Sequence, residues 1–242
     1  MLRSVTSVLE LSTPALVVDR AALQHNLDAM AAALPGARCR PHVKAHKTTT
    51  LARAQHAVGH TTFTCATPRE VIGLARAGLG EDLLLANEVL DPSRLAALAA
   101  LDARVTVAVD SPATVEAAAA AGLRACLVDV NVGLPRCGCE PEDAGRVAEK
   151  ATRRGLEVRG VMGYEGHVVG LVDAGERADK CAAAMELLMQ AHADVGGELI
   201  SAGGTGTYAL NTWANEIQAG SYALMDTAYA KLGLPFKQAV SV

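Results

Sequence analysis

Short runs of β-branched and aliphatic residues alternate one for one with longer Ala- and Leu-rich stretches along this chain. That rhythm restricts the fold more than any single residue does. "ALVVD" (15–19) leads into "RAALQHNLDAMAAAL", where Leu23, Leu27, Met30 and Leu34 recur at helical spacing. "TTFTCA" leads into "TPREVIGLARAGLG", with Thr67 placed to cap, Pro68 in the first turn and Gly78 beyond the end. "DLLLAN" precedes "DPSRLAALAAL", and "RVTVAVD" precedes "SPATVEAAAAAG". "EVRGVMGY", "ELISAGG" and "EIQAGSYALMD" read as later strands, with a long helix near 176–193. Single strands alternating with single helices call for right-handed crossovers and a parallel sheet. Nine strand-like runs occur. With the first, Ala15–Val18, outside, the other eight close an α/β fold of the (β/α)8 TIM barrel type, beginning with the strand that carries Lys44. An open doubly wound sheet is the rival; the even spacing and the lack of a linker favour the barrel. A length of 242 residues suits one such barrel.

Half the residues are hydrophobic and 20% are charged, enough for a large core and too apolar for disorder. A net charge of −4 argues against a nucleic-acid surface and supplies no attraction to a membrane. No run approaches the ~18 apolar residues of a spanning helix. The N-terminus shows no apolar signal region with a cleavage site, so the expected location is cytoplasmic. The six cysteines are scattered and read as reduced thiols. Cys137-Gly-Cys139 is too close for a zinc knuckle, and no second pair follows it.

In a barrel, chemistry gathers at the C-terminal ends of the strands. Lys44, in "RPHVKAHKTTT", falls at the end of the first. A buried, unpaired ammonium is expensive, so either it reaches solvent or its charge is used. Arg136 follows strand five and Tyr164 ends strand six. Ser201–Tyr208 follow strand seven, and Gln218–Tyr222 open strand eight. Gly203 and Gly204 let backbone N–H groups approach an anion, Thr205 or Ser201 adds a hydroxyl, and Gly220-Ser221 offers a second set. The bland alternative is a pair of glycine turns with no ligand. No P-loop or dinucleotide fingerprint occurs. A lysine facing an anion cradle suits pyridoxal 5′-phosphate (PLP), the lysine at its aldehyde as a Schiff base and amides at its phosphate. Arg40 and Lys47 either bias Lys44 toward its neutral form or make a solvated basic edge. His42 shares a strand face with Lys44 and either serves the cofactor site or is a core histidine. His46 is a candidate proton carrier and His167 a weaker one. Gly59 separates His56 from His60, which read as structural.

"TPALVVDRAALQHNL", "RPHVKAHKT", "VDVNVGLPRCG", "GVMGYEGH", "SAGGTGT" and "EIQAGSYALMD" occur together and in order. In this the chain resembles the PLP-dependent fold-type III proteins, closest to the D-threonine aldolase and D-serine dehydratase group, relatives of alanine racemase. The resemblance implies that Lys44 carries the cofactor and that Arg136 reaches its phenolic oxygen or the substrate. It sets Tyr164 near the ring, with Gly203, Gly204, Thr205, Gly220, Ser221 and Tyr222 at the phosphate. Gln218 takes the place where alanine racemases put an arginine against the ring nitrogen. The implied activity is that of a lyase on small D-β-hydroxy-amino acids: aldolase cleavage to glycine and an aldehyde, or dehydratase elimination. An amino-acid racemase and a non-catalytic single-domain PLP carrier are the alternatives. Such proteins continue into a β-rich C-terminal domain, with ligands for a divalent metal (Mn or Zn), and they pair as homodimers. Those metal ligands are not found in this chain. The resemblance divides the chain into residues 1–20, a segment and strand that pair with the C-terminal domain, residues 21–235, the barrel, and residues 236–242, the start of the next domain. Without that domain the first strand is expected to lose its partners and expose an edge.

Overall fold

Among the described residues, six of the seven α-helices begin where the sequence supplies a capping side chain. The computed structural model describes residues 7–242; residues 1–6, part of the segment read for an export signal, lie outside the described residues. Asp19 starts α1 (Arg20–Ala33), Thr48 α2 (Thr49–Ala57), Thr67 α3 (Pro68–Arg76) and Asp91 α4 (Pro92–Ala99). Ser111 starts α5 (Pro112–Ala120) and Asp173 starts α7 (Ala174–Val195). Each accepts a backbone N–H that the first helical turn cannot satisfy itself. Only α6 (Ala144–Arg153) lacks such a cap.

Between the helices run β2 (Thr62–Cys65), β3 (Asp82–Leu85), β4 (Val105–Val109), β5 (Ala125–Asp129), β6 (Glu157–Met162), β7 (Leu199–Ala202) and β8 (Glu216–Ile217). They form one parallel sheet in sequence order. Residues 39–42 join its two edges. The Arg40 N–H donates to Ile217 O at 2.9 Å, the His42 N–H to Ala219 O at 3.0 Å, and Thr64 N–H to Pro41 O at 3.0 Å. The sheet therefore curls round as a barrel instead of lying open. The joining stave is bridged only at Cys39 and His42, because Pro41 has no N–H to extend a ladder.

Two boundaries differ from the sequence reading. Lys44 is not on a strand: it sits in a 3-10 turn, Val43–Ala45, just past the stave. Gln218–Tyr222 do not open strand eight either. They follow the two-residue β8, and Ser221–Ala223 form a further 3-10 turn. Both shifts move these residues from the staves to the barrel mouth.

The strand expected to be left without a partner has one. β1 (Val17–Val18) pairs antiparallel with β9 (Val240–Ser241). The tail is stitched to α1 by Asn26, whose amide donates to Lys237 O at 2.7 Å and accepts the Lys237 N–H at 2.7 Å.

Strand alternation sorts the side chains. One core fills the layer between sheet and helices, including Phe63, Leu83, Leu85, Val107, Val128 and Val161. Inside the barrel, Leu84, Ala108, Leu127 and Met162 form a small apolar plug. A polar layer also lies inside the barrel, built from Arg40, Asp82, Thr106, Arg159, Ser201 and Glu216, all buried. Arg40 is 1% exposed, so it is neither a solvated edge nor a neighbour that biases Lys44. It pairs with Asp82 Oδ2 at 3.2 Å and Glu216 Oε2 at 2.7 Å. Arg159 grips Asp82 through two bonds of 2.9 Å and Thr106 through one of 2.8 Å. Among the described residues no helix is long and apolar enough to cross a membrane.

Candidate active site

Lys44 owes its position to the chain's departure from the barrel wall. The stave ends at its His42 bridge, and His42 Nδ1 accepts the Lys44 N–H at 3.4 Å, holding the turn. Lys47 then adopts a left-handed backbone (φ 53°) and the chain reverses into α2. Lys44 Nζ lies 5.0 Å from the centroid of the Tyr164 ring, and Arg136 Cζ lies 5.5 Å from the same ring. Among the described residues no carboxylate pairs with either cation. Burial, then the nearby Arg136 charge, depresses the Lys44 pKa, with a smaller push from Lys47. Burial and Lys44 hold the His42 pKa well below its ordinary value, so His42 is a neutral acceptor.

Lys44 and Tyr164 stand between two cavities. The larger, about 390 Å³, is lined by His42, Lys44, Glu88, Arg136, Tyr164 and Gln218 among others, with Gly203 at its edge. The smaller, about 50 Å³, is lined by Lys44, Tyr164, Gly204, Thr205, Gln218, Gly220 and Ser221, together with Ala45 and Tyr229. The two glycine turns reach it because no side chain holds them off. A Cβ on Gly220 would stand 2.5 Å from His42 O, and one on Gly206 would stand 1.8 Å from Val169 O. Gly203 and Gly204 already spend their N–H groups, on Glu165 at 3.1 Å and Thr207 at 3.2 Å. The N–H groups of Thr205, Gly220 and Ser221 have no acceptor among the described residues and border the small cavity.

Three predicted residues lie elsewhere. The Ser201 hydroxyl donates downward to Glu216 Oε1 at 2.6 Å. Tyr222 is fully buried, its hydroxyl accepting from Gln55 at 3.0 Å and its N–H donating to Thr205 Oγ1 at 2.9 Å. His46 lines neither cavity, and both ring nitrogens are engaged: Nε2 with Gln55 Oε1 at 3.2 Å, Nδ1 with the Thr48 N–H at 3.2 Å. His42, Lys44, Arg136, Tyr164, Gly203, Gly204, Thr205, Gln218, Gly220 and Ser221 do come together.

Sequence reasoning missed two features. Glu165, fully buried beside Tyr164, accepts from the Gly203 N–H and, at 2.7 Å, from the Thr207 hydroxyl. It ties the loop after β6 to the glycine turn after β7. The second is an acidic wall. Side-chain ligand atoms of Glu88, Asp129 and Cys137 lie within 4.8 Å of one another. Glu88 Oε1 is buried without a hydrogen-bond partner, and the Cys137 thiol donates to Asp129 Oδ2 at 3.3 Å. Burial, then the Glu88 charge, pushes the Asp129 carboxyl well above its ordinary range, and burial pushes the Cys137 thiol up to about 12. These are also donor types that a divalent cation takes. The rule that led to Lys44 points here too, because Asp129 ends β5 and Glu88 follows β3.

Comparison with known proteins identifies the family. The chain is 33% identical over 237 residues to a D-threonine aldolase of Arthrobacter sp., covering 90% of this chain and 62% of that protein. It is 31% identical over 244 residues to a 3-hydroxy-D-aspartate aldolase of Paracoccus denitrificans, covering 92% and 63%. It thus spans less than two thirds of these relatives' length. Among solved structures, D-threonine aldolase from Filomicrobium marinum superposes with a TM-score of 0.89 at 31% identity, covering 96% of this chain and 69% of that one. D-threo-3-hydroxyaspartate dehydratase from Delftia sp. HT23 gives 0.78 at 27% identity, covering 93% and 65%. The model of the alanine racemase N-terminal domain matches residues 18–228, and the chain belongs to that family.

Proposed function

We propose that this barrel binds pyridoxal 5′-phosphate at Lys44 and serves a lyase acting on small D-β-hydroxy-amino acids. The observation that carries the reading is the position of Lys44. It is one depressed, carboxylate-free amine between a cavity of ring and substrate size and a small cavity rimmed by amide N–H groups. The residues fit the group. The glycine turn at Gly220 leaves no room for a Cβ, and its unspent N–H groups suit a phosphate. The names of the relatives supply the substrate class.

When bound, PLP supplies an electron sink for negative charge at the substrate Cα. The chain's own groups do the rest. Lys44 Nζ, shifted toward its neutral form, is available as a nucleophile and as a base. Tyr164 presents a ring face to the Lys44 and Arg136 cations and keeps them in register. Its own hydroxyl, with its pKa raised to about 12 chiefly by burial, stays protonated and can donate. Arg136 is the one guanidinium on the larger cavity and suits a substrate carboxylate or a phenolate oxygen. Glu88 is the one carboxylate on the larger cavity. A carboxylate placed there can take the β-hydroxyl proton that aldol cleavage releases.

The test is incubation of the cofactor-loaded protein with D-threonine and with D-serine, with and without Mn²⁺ or Zn²⁺. Glycine plus acetaldehyde marks an aldolase; pyruvate plus ammonia marks a dehydratase. Retained PLP with neither product rejects the lyase and leaves a carrier. The domain division, with residues 236–242 leading into a further domain, and a homodimer built through that domain remain part of this proposal.

A further inference from the structure

Gln218 borders both cavities, yet its amide could offer them either an oxygen or an NH2 group. The layer beneath decides which. Glu216, 2% exposed, is ion-paired to Arg40 Nε at 2.7 Å and so can only accept hydrogen bonds. The Ser201 hydroxyl must therefore spend its single proton on Glu216 Oε1, 2.6 Å away. Ser201 Oγ is left with lone pairs only, and the group 2.9 Å from it is Gln218 Nε2. The reversed amide would set two lone-pair oxygens against each other with no proton between them. The amide orientation thus follows from the charge on the barrel floor.

We infer that Gln218 turns its amide oxygen to the cavity, so that the site selects a hydrogen-bond donor on the ligand edge it meets. Resting on the PLP reading, this donor has one identity. A side chain that borders both cavities would face the ring edge next to the phosphate arm. The only hydrogen-bonding atom on that edge is the ring nitrogen, which donates only when protonated. The oriented amide therefore favours the pyridinium form, the stronger electron sink. Ser201, which touches no cavity, is a positioning residue, and a neutral glutamine is not an indifferent partner.

The experiment loads the protein with ring-¹⁵N PLP and follows the nitrogen by NMR against pH. The wild type is expected to show a protonated ring nitrogen at neutral pH. Ser201→Ala and Gln218→Leu should each lower its apparent pKa by about one unit or more while the cofactor remains bound. An unprotonated nitrogen in the loaded wild type, or no shift in either variant, overturns the inference. A second readout needs no cofactor: the Gln218 NH2 protons should be protected from solvent exchange in wild type and lose that protection in Ser201→Ala. Equal exchange in both also overturns it. A wild type with protected NH2 protons but no lysine-linked chromophore rejects PLP and leaves the amide orientation supported.

Discussion

The barrel buries charge in two places and treats it in opposite ways. On the floor, Arg40 and Arg159 share Asp82, Arg40 also takes Glu216, and Ser201 satisfies the remaining glutamate oxygen. At the mouth, Lys44 and Arg136 face a ring without a carboxylate, while Glu88 and Asp129 crowd each other. Matched charges at the floor hold the barrel in shape; at the mouth, where partners are missing, Lys44 is depressed and Asp129 raised. Perturbed titration in this fold therefore marks chemistry only where partners are missing.

The largest effect expected from breaking this contrast is at the mouth. Lys44→Ala should abolish the lysine-linked cofactor absorbance and lower turnover by on the order of 10³-fold or more, with little loss of stability in urea unfolding. Asp82→Ala should do the reverse. It takes the shared carboxylate from two buried guanidinium groups, leaving Arg40 with Glu216 and Arg159 with the exposed Glu198, and should cost about 3–5 kcal/mol in the same unfolding experiment. Equal stability losses in the two variants would erase the distinction between the regions.

The two regions should also answer pH with opposite signs. Burial alone would raise the Asp82 carboxyl, but bonds from Arg159 and Arg40 hold it below its ordinary value. Its contribution is present at neutral pH and is lost as pH falls through the carboxylate range. Asp129 is raised, so its contribution is present at low pH. It fades as pH rises above the ordinary carboxylate range toward its folded pKa, with a slope of at most ~1.4 kcal/mol per pH unit. Glu88→Gln removes the crowding charge. It should flatten that second slope and raise stability at neutral pH, read from unfolding midpoints between pH 4 and 8.

Gly220→Ala drives a Cβ to 2.5 Å from His42 O and should weaken PLP binding by about tenfold or more, with a smaller effect on pyridoxal, which has no phosphate. The smallest change is expected for His46→Asn. A proton carrier is worth about 10²–10⁴-fold, so a kcat/KM within about threefold of wild type would fit a histidine occupied by Gln55 and Thr48.

The barrel was legible because its signals are local and repeated: caps at Thr67, Asp91 and Ser111, and apolar runs between them. Lys44, Arg136 and Tyr164 were expected near the strand ends, and the structure brings their side chains together there. What sequence could not supply was which way a polar side chain turns once inside. Arg40 and Lys44 sit four residues apart in one basic stretch, yet Arg40 lies in the floor and Lys44 borders the mouth. Ser201 looked like an anion ligand until Glu216, fifteen residues on, took its proton. Glu88 follows β3 and Asp129 ends β5, two strands on in the sheet, so their meeting is a product of the fold.

The account's central claim is a covalent bond at one nitrogen, and borohydride reduction of the cofactor-loaded protein tests it most directly. Peptide mass mapping should find the reduced pyridoxyl group on the peptide carrying Lys44, and on none in Lys44→Ala. A label on another lysine, or none in a protein that retains PLP, would contradict it.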